Sequence, residues 1–356
     1  MTRSKKELVE QFVIKNTVPK YILGRTTFGE KAHALSKSSG VAIAAYIDEF
    51  NDVREFDGLP VVNKLADLPS NAIVLIGVVH GRPYSVQQRL ESLGILSIDY
   101  FSLIRFGGIG LTIPYWEGFH ESYQQNRESY NRLYYRFADE VSKQIFSKLL
   151  DFRLNYNLEA MKGFTLSIDN EYFESFLQLR ETGEVFCDVG GFDGGTTKEF
   201  IKRCPQYERI YYFEPEPDQM TESKKALAQY ARIEYCQCAA YDKKDTLRFC
   251  SDGSASMVSE RGTLEIRAER IDDMVHTPVT FIKMDIEGSE SLAIQGAKET
   301  ILKYHPRLAI CVYHKGTDYI EIPKRVLEIR DDYDVFLRHY TEGINETVMF
   351  FMPQYK

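Results

Sequence analysis

The stretch VFCDVGGFDGGTTKEF, residues 185–200, constrains the possible fold more than any other part of the chain. A nearly apolar run stops at Asp188, four glycines fall within residues 190–195, and a helix-like segment opens on Thr196 and Thr197, either of which can cap it. A buried strand, a glycine loop and a helix start, in that order, make the unit that binds a ligand at the carboxyl edge of an open α/β sheet.

A chain of 356 residues has room for two domains or a little more, at roughly 150 residues each. Its 44% apolar and 27% charged residues are those of an ordinary folded protein. The net charge is -8, and no basic run goes beyond RSKK at 3–6 and scattered lysine pairs, so a nucleic-acid partner is not expected. No stretch reaches the ~18 apolar residues of a membrane helix, and the N-terminus lacks a signal-peptide core; a cytoplasmic protein without membrane insertion is expected. Six cysteines stand at 187, 204, 236, 238, 250 and 311 without a second pair at zinc-like spacing. They read as small buried hydrophobes in a reducing compartment.

The chain divides into a smaller Rossmann-like α/β domain (1–113), a helical connector (114–180) and a larger α/β domain (181–356). In the first, YILG (21–24), VAIAAYID (41–48), AIVLIGVV (72–79) and ILSIDYF (95–101) are apolar runs alternating with helical segments, as in a buried parallel sheet, and DGLP (57–60) is a turn. Its loop Gly24-Arg25-Thr26-Thr27-Phe28-Gly29 keeps the outer glycines of G-x-G-x-x-G, but Thr26 obstructs close approach of a pyrophosphate. Asp48 ends the second strand where a ribose-binding acid belongs. In the connector, Leu133, Phe137, Val141, Ile145 and Leu149 recur every four residues and predict one long helix whose stripe also suits a homodimer. The aromatic cluster IPYWEGFHESY reads as a packed connector ahead of the alternative, the lining of a substrate cleft.

In the larger domain, YYFEPE (211–216) ends a second strand in Glu214, an acid able to accept both ribose hydroxyls of a nucleoside. To this point a nicotinamide cofactor and S-adenosylmethionine both fit. Phe192 in the middle glycine position, Asp188 as an acid facing the crevice, and Pro215 turning the chain across the adenosine edge favour the sulfonium nucleoside. RIEYCQCAAYDK (232–243) is a third strand whose Asp242 either bonds an adenine amino group or is a turn acid. FIKMDIEGSE (281–290) delivers Asp285 and Glu287, and RLAICVYHK (307–315) delivers His314, to the same edge. VFLRHY and TVMFFMP flank TEGINE as a closing hairpin, and His339 there reads as a buried structural histidine.

Residues 139–356 resemble the FkbM family of S-adenosylmethionine-dependent methyltransferases. The matching stretches include EVFCDVGGFDGGTT, YYFEPEPDQM, FIKMDIEGSESLAIQGAKETI and RLAICVYHK, of which DIEGSE with its GAKETI-like helix start is the specific one. The resemblance implies a class I methyltransferase fold with a seven-stranded mixed sheet, and O-methylation of sugars or polyketide-type products. The implied cofactor set is Asp188, Gly190, Gly191, Phe192, Asp193 and Thr196 in the loop, Glu214 and Pro215, Ala239 and Asp242, and Asp285. The family loop often has Ala-Asn or Ala-Tyr where this chain has Gly191-Phe192.

The expected activity is methyl transfer to a hydroxyl of a sugar, a glycan or a glycan precursor, with His314 as base. Asp285 and Glu287 would orient His314, bind sugar hydroxyls or hold a divalent cation. Two carboxylates alone make a poor magnesium cage, so no metal is expected. The competing readings are a dehydrogenase using the first domain and a binding protein that has lost turnover.

Overall fold

The computed structural model describes residues 4–14, 18–251 and 256–354; Arg3 of the opening basic run lies outside them. The described chain forms two compact units. One holds the residues up to His120 with Phe146–Ser167 and Tyr340–Asn345; the other holds Glu121–Ile145, Ile168–His339 and the residues from Glu346 on. The segment 114–180 is therefore shared between the units.

The first unit carries strands β1 (Lys20–Leu23), β2 (Ala45–Ile47), β3 (Glu55–Phe56), β4 (Leu59–Val62), β5 (Ile73–Ile76) and β6 (Leu96–Asp99) in the order β3-β4-β2-β1-β5-β6. The four longer apolar runs pair in parallel, and β3 with β4 is an antiparallel hairpin turning at Asp57 and Gly58, both at positive φ. Tyr21, Ile47, Val74, Ile76 and Leu90 form its core.

The loop after β1 is closed by its own side chains. Thr26 Oγ1 accepts from Gly29 N at 3.0 Å and donates to the Gly77 carbonyl at 2.7 Å, capping the helix Thr27–Ser38. Arg25 Nε donates to Asp48 Oδ2 at 2.7 Å, so the acid in the ribose position already has a cation. The two features a dinucleotide would need are committed to the unit's own loop.

The second unit is built on β7 (Val185–Val189), β8 (Arg209–Phe213) and β9 (Ile233–Cys236). β10 (Ala239–Ala240), β11 (Asp245–Cys250), β12 (Met257–Val258) and β13 (Leu264–Glu269) follow. The chain then adds β14 (Phe281–Met284), β15 (Arg307–Cys311), β16 (Tyr333–His339) and β17 (Thr347–Pro353). The main sheet runs β16-β17-β15-β14-β7-β8-β9, seven strands, parallel except for β17. β10, β13, β11 and β12 form a separate four-stranded sheet. The mixed seven-stranded sheet and the closing hairpin are as expected.

Two expectations are corrected. The striped segment is two helices, Arg127–Arg136 and Glu140–Asn155, because Phe137 is extended and bridges Val335, and Asp139 then accepts from Ser142 N to start the second helix. Val141 consequently stands half exposed. The third strand stops at Cys236, and Ala239 and Ala240 leave the main sheet for the smaller one.

Candidate active site

A cavity of about 1080 Å3, its open mouth included, lies at the carboxyl edge of the seven-stranded sheet. The loop after β7 forms one wall. Gly190 sits at φ +81, and a Cβ there would lie 1.9 Å from the Asp285 carbonyl; one on Gly191 would lie 2.2 Å from the Tyr212 ring. Only glycine lets this loop pass between β14 and β8. Asp193 Oδ1 accepts from Gly195 N at 2.8 Å, which turns the loop into its helix, whose N-cap is Gly194 and carries no side-chain bond. Neither threonine is the cap: Thr196 faces the cavity, and Thr197 donates to Asp188 Oδ2 at 2.7 Å.

Asp188 is not in the crevice. It is fully buried beneath the loop, with Lys283 Nζ 3.4 Å from its Oδ1. Lys283 also donates to the Gly190 carbonyl at 2.6 Å, so this pair holds the loop from below. Burial pushes the Asp188 carboxyl up, against the pull of Lys283.

Glu214 follows β8 and lines the cavity. Its Oε2 accepts from Phe192 N at 3.1 Å and its Oε1 from Glu216 N at 2.8 Å, which aims the carboxylate at the loop. Burial raises its pKa to about 7. Pro215, Ala239, Ala240, Cys238, Phe249 and Val258 make the adjoining wall mostly apolar. Asp242 does not line the cavity; the chain has turned into the smaller sheet before reaching it.

The other end is rich in acids. Asp285 and Glu287 line it, joined by Glu171, Tyr172 and Glu346, which the sequence reading missed. Tyr172 donates to Asp285 Oδ2 at 2.8 Å. Burial, then the Glu346 carboxylate, pushes Glu171 far above the usual carboxylate range. Burial, opposed by His314 and reinforced by Asp285, raises Glu287 to about 7. His314 is absent from the lining: it lies beneath the acids, 7% exposed, with Nε2 3.3 Å from Asp285 Oδ1 and 3.6 Å from Glu287 Oε2. Burial alone would lower its pKa, but Glu290 and Asp285 raise it well above the ordinary value, and behind the acids the ring does not reach the cavity as a free base.

Nine non-glycine residues in the described chain have positive φ, and four of them, Tyr172, Phe192, Glu287 and Glu346, line this cavity. Such strain collects where side chains are held for a ligand. His339, in contrast, is buried at 2.8 Å from Thr347 Oγ1, a structural contact. All six cysteines are free thiols, five of them buried. Among the described residues, no helix is long and apolar enough to cross a membrane.

Residues 188–341 match the family model of the methyltransferase FkbM domain. The crystal structure of methyltransferase FkbM from Methylobacillus flagellatus KT is similar over 98% of this chain and 93% of its own, with a TM-score of 0.77 and 25% identity. The 2-O-methyltransferase NoeI of Sinorhizobium fredii (strain NBRC 101917 / NGR234) is 24% identical over 151 residues. That match takes in 35% of this chain and 62% of NoeI, less than two thirds of that relative's length.

Proposed function

We propose that the chain, whose residues 188–341 match the methyltransferase FkbM domain, transfers a methyl group from S-adenosylmethionine to a hydroxyl of a sugar or glycan precursor. The observation that carries this reading is the polarity of one cavity: Glu214 and an apolar wall at one end, five polar residues of the Asp285 cluster at the other. The first end fits a nucleoside, because an acid after the second strand can accept two ribose hydroxyls and the apolar wall can face a purine. Gly190, Gly191, Phe192, Asp193 and Thr196 would flank the rest of the cofactor, with Asp188 acting only through Lys283 and the loop. The cofactor supplies a methyl group already activated by positive sulfur.

The protein's task is then chiefly positioning, which contributes several kcal/mol and up to ~10 in the best cases. Asp285, Glu171 and Glu346 present acceptors to a polyhydroxylated substrate. Glu287, whose carboxyl stands at about 7 in the cavity wall, takes the hydroxyl proton. His314 stays behind the acids, 3.3 Å from Asp285, and positions that carboxylate. The similarity to NoeI supports oxygen as the receiving atom and a sugar as its bearer.

The test is a panel of sugars, phenols and amines incubated with methyl-labelled cofactor. Label on a sugar oxygen supports the reading. Label confined to amines would remove O-methylation.

A further inference from the structure

We propose that Asp285, Glu287 and His314 bind a first-row divalent cation of the Mn2+ or Zn2+ type. Oxygens of Asp285 and Glu287 and a nitrogen of His314 all lie within 4.8 Å of one another. The distances carry the argument. His314 Nε2 is 3.3 Å from Asp285 Oδ1 and 3.6 Å from Glu287 Oε2. A charge-assisted hydrogen bond would draw them to about 2.7–2.9 Å. Ligands about 2.1 Å from one cation stand about 3.0 Å apart in octahedral and about 3.4 Å apart in tetrahedral geometry. The Asp285 spacing falls between these two values and the Glu287 spacing lies just beyond them, so a small movement of Glu287 would complete the set.

The orphaned atoms agree. His314 Nε2, on a buried side chain, completes no well-directed hydrogen bond, and neither does Asp285 Oδ1, 3.3 Å from it. Glu290 Oε1 lies 2.9 Å from Nδ1 and also accepts from Ile286 N. A carboxylate behind the far nitrogen is how a ligating histidine is oriented. Glu290, His314 and Asp318 form a second close group, but Glu290 and Asp318 are buried at 1% and 3% and leave a cation no open position. Asp285 and Glu287 open onto the cavity.

One imidazole with two carboxylates suits Mn2+ or Zn2+ better than the all-oxygen Mg2+ or Ca2+. His314 is the third ligand that two carboxylates alone lacked. The role, unlike the site, rests on the methyl-transfer reading: the cation's open positions would hold the acceptor hydroxyl and lower its pKa, while Glu287 ligates through one oxygen and keeps the other for the proton.

The test uses full-length protein stripped with chelator. MnCl2 is titrated while the electron paramagnetic resonance of free Mn2+ is followed, ZnCl2 is titrated by calorimetry, and S-adenosylhomocysteine is titrated on the same sample. Expected are one saturable ion per chain and binding weakened in His314→Gln and Glu287→Gln by at least the roughly 10–100-fold that loss of an outer-shell partner costs. Glu214→Gln should bind the ion as the wild type does. Should His314→Gln fail to fold, Glu287→Gln, on the cavity wall, decides. Absence of saturable binding by either ion, or unchanged affinity in the folded variants, overturns the proposal and leaves a protonated imidazole among carboxylates. Loss of S-adenosylhomocysteine binding with the ion still bound would strike the methyl-transfer reading instead.

Discussion

The backbone N–H of Phe192 donates to Glu214 Oε2 at 3.1 Å, tying the loop after β7 to the acid after β8. Tyr212 closes the circuit by donating its hydroxyl to the Phe192 carbonyl at 2.8 Å. Phe192 is thereby held at φ +49 in the cavity wall. The glycine loop and the ribose-type acid are one hydrogen-bonded unit.

The protonation of Glu214 should govern cofactor affinity. With its pKa near 7, the carboxyl is protonated below that pH and accepts poorly from ribose hydroxyls. S-adenosylhomocysteine affinity should therefore fall as pH drops through about 7, by up to roughly tenfold per unit if binding needs the ionised form. Calorimetry from pH 5.5 to 8.5 checks this, and Glu214→Gln should bind weakly with a flatter profile.

Gly190→Ala should destabilise the second unit by more than about 3 kcal/mol, because its Cβ would overlap the Asp285 carbonyl and the backbone is at φ +81. Thermal unfolding reads this directly. A variant as stable as the wild type would mean that β14 yields at no cost.

Tyr172→Phe removes the hydroxyl that donates to Asp285 Oδ2, a charge-assisted bond of about 1.5–3 kcal/mol. Turnover on an accepted hydroxyl should fall about tenfold or more, with S-adenosylhomocysteine affinity changed less. Equal losses in both would place Tyr172 in cofactor binding instead.

Acid stability should report the ion pair between Glu184 and Arg307, both buried. Burial works against the Glu184 carboxylate, but Arg307 and Thr280 bring its pKa from 4.5 down to about 2. A depressed folded pKa contributes stability that is present above pH 4.5 and lost as pH falls towards 2. Chemical denaturation across that window should show Glu184→Gln with a shallower decline than the wild type.

The sheet was legible because its parallel strands are apolar runs of period-free burial, such as Val185–Val189 and Arg307–Cys311, and each acid that ends one stands at a chain turn. Glu214, Asp285 and Glu287 could be found that way. The place of Asp188 depends on Lys283: a lysine inside the apolar FIKM strand must find a carboxylate, and that lysine is the sequence signal for a buried Asp188. Glu171 and Tyr172 follow a short helical turn and Glu346 lies in the loop that precedes β17, where no periodicity points inward. Phe137 fits a helical stripe as well as a bridge to Val335, and only the partner strand decides between them. Asp242 depended on a strand that ends early, and strand ends are set by tertiary pairing.

In the proposed reaction the loop from Gly190 to Thr196 and Glu214 together bind the nucleoside of S-adenosylmethionine. Calorimetric titration with S-adenosylhomocysteine, with NAD and NADP in parallel, tests it most directly. The expected result is one saturable site for S-adenosylhomocysteine alone, weakened about 100-fold in Glu214→Ala through loss of charge-assisted hydrogen bonds. Unchanged affinity in that variant, or binding of a dinucleotide alone, would contradict it.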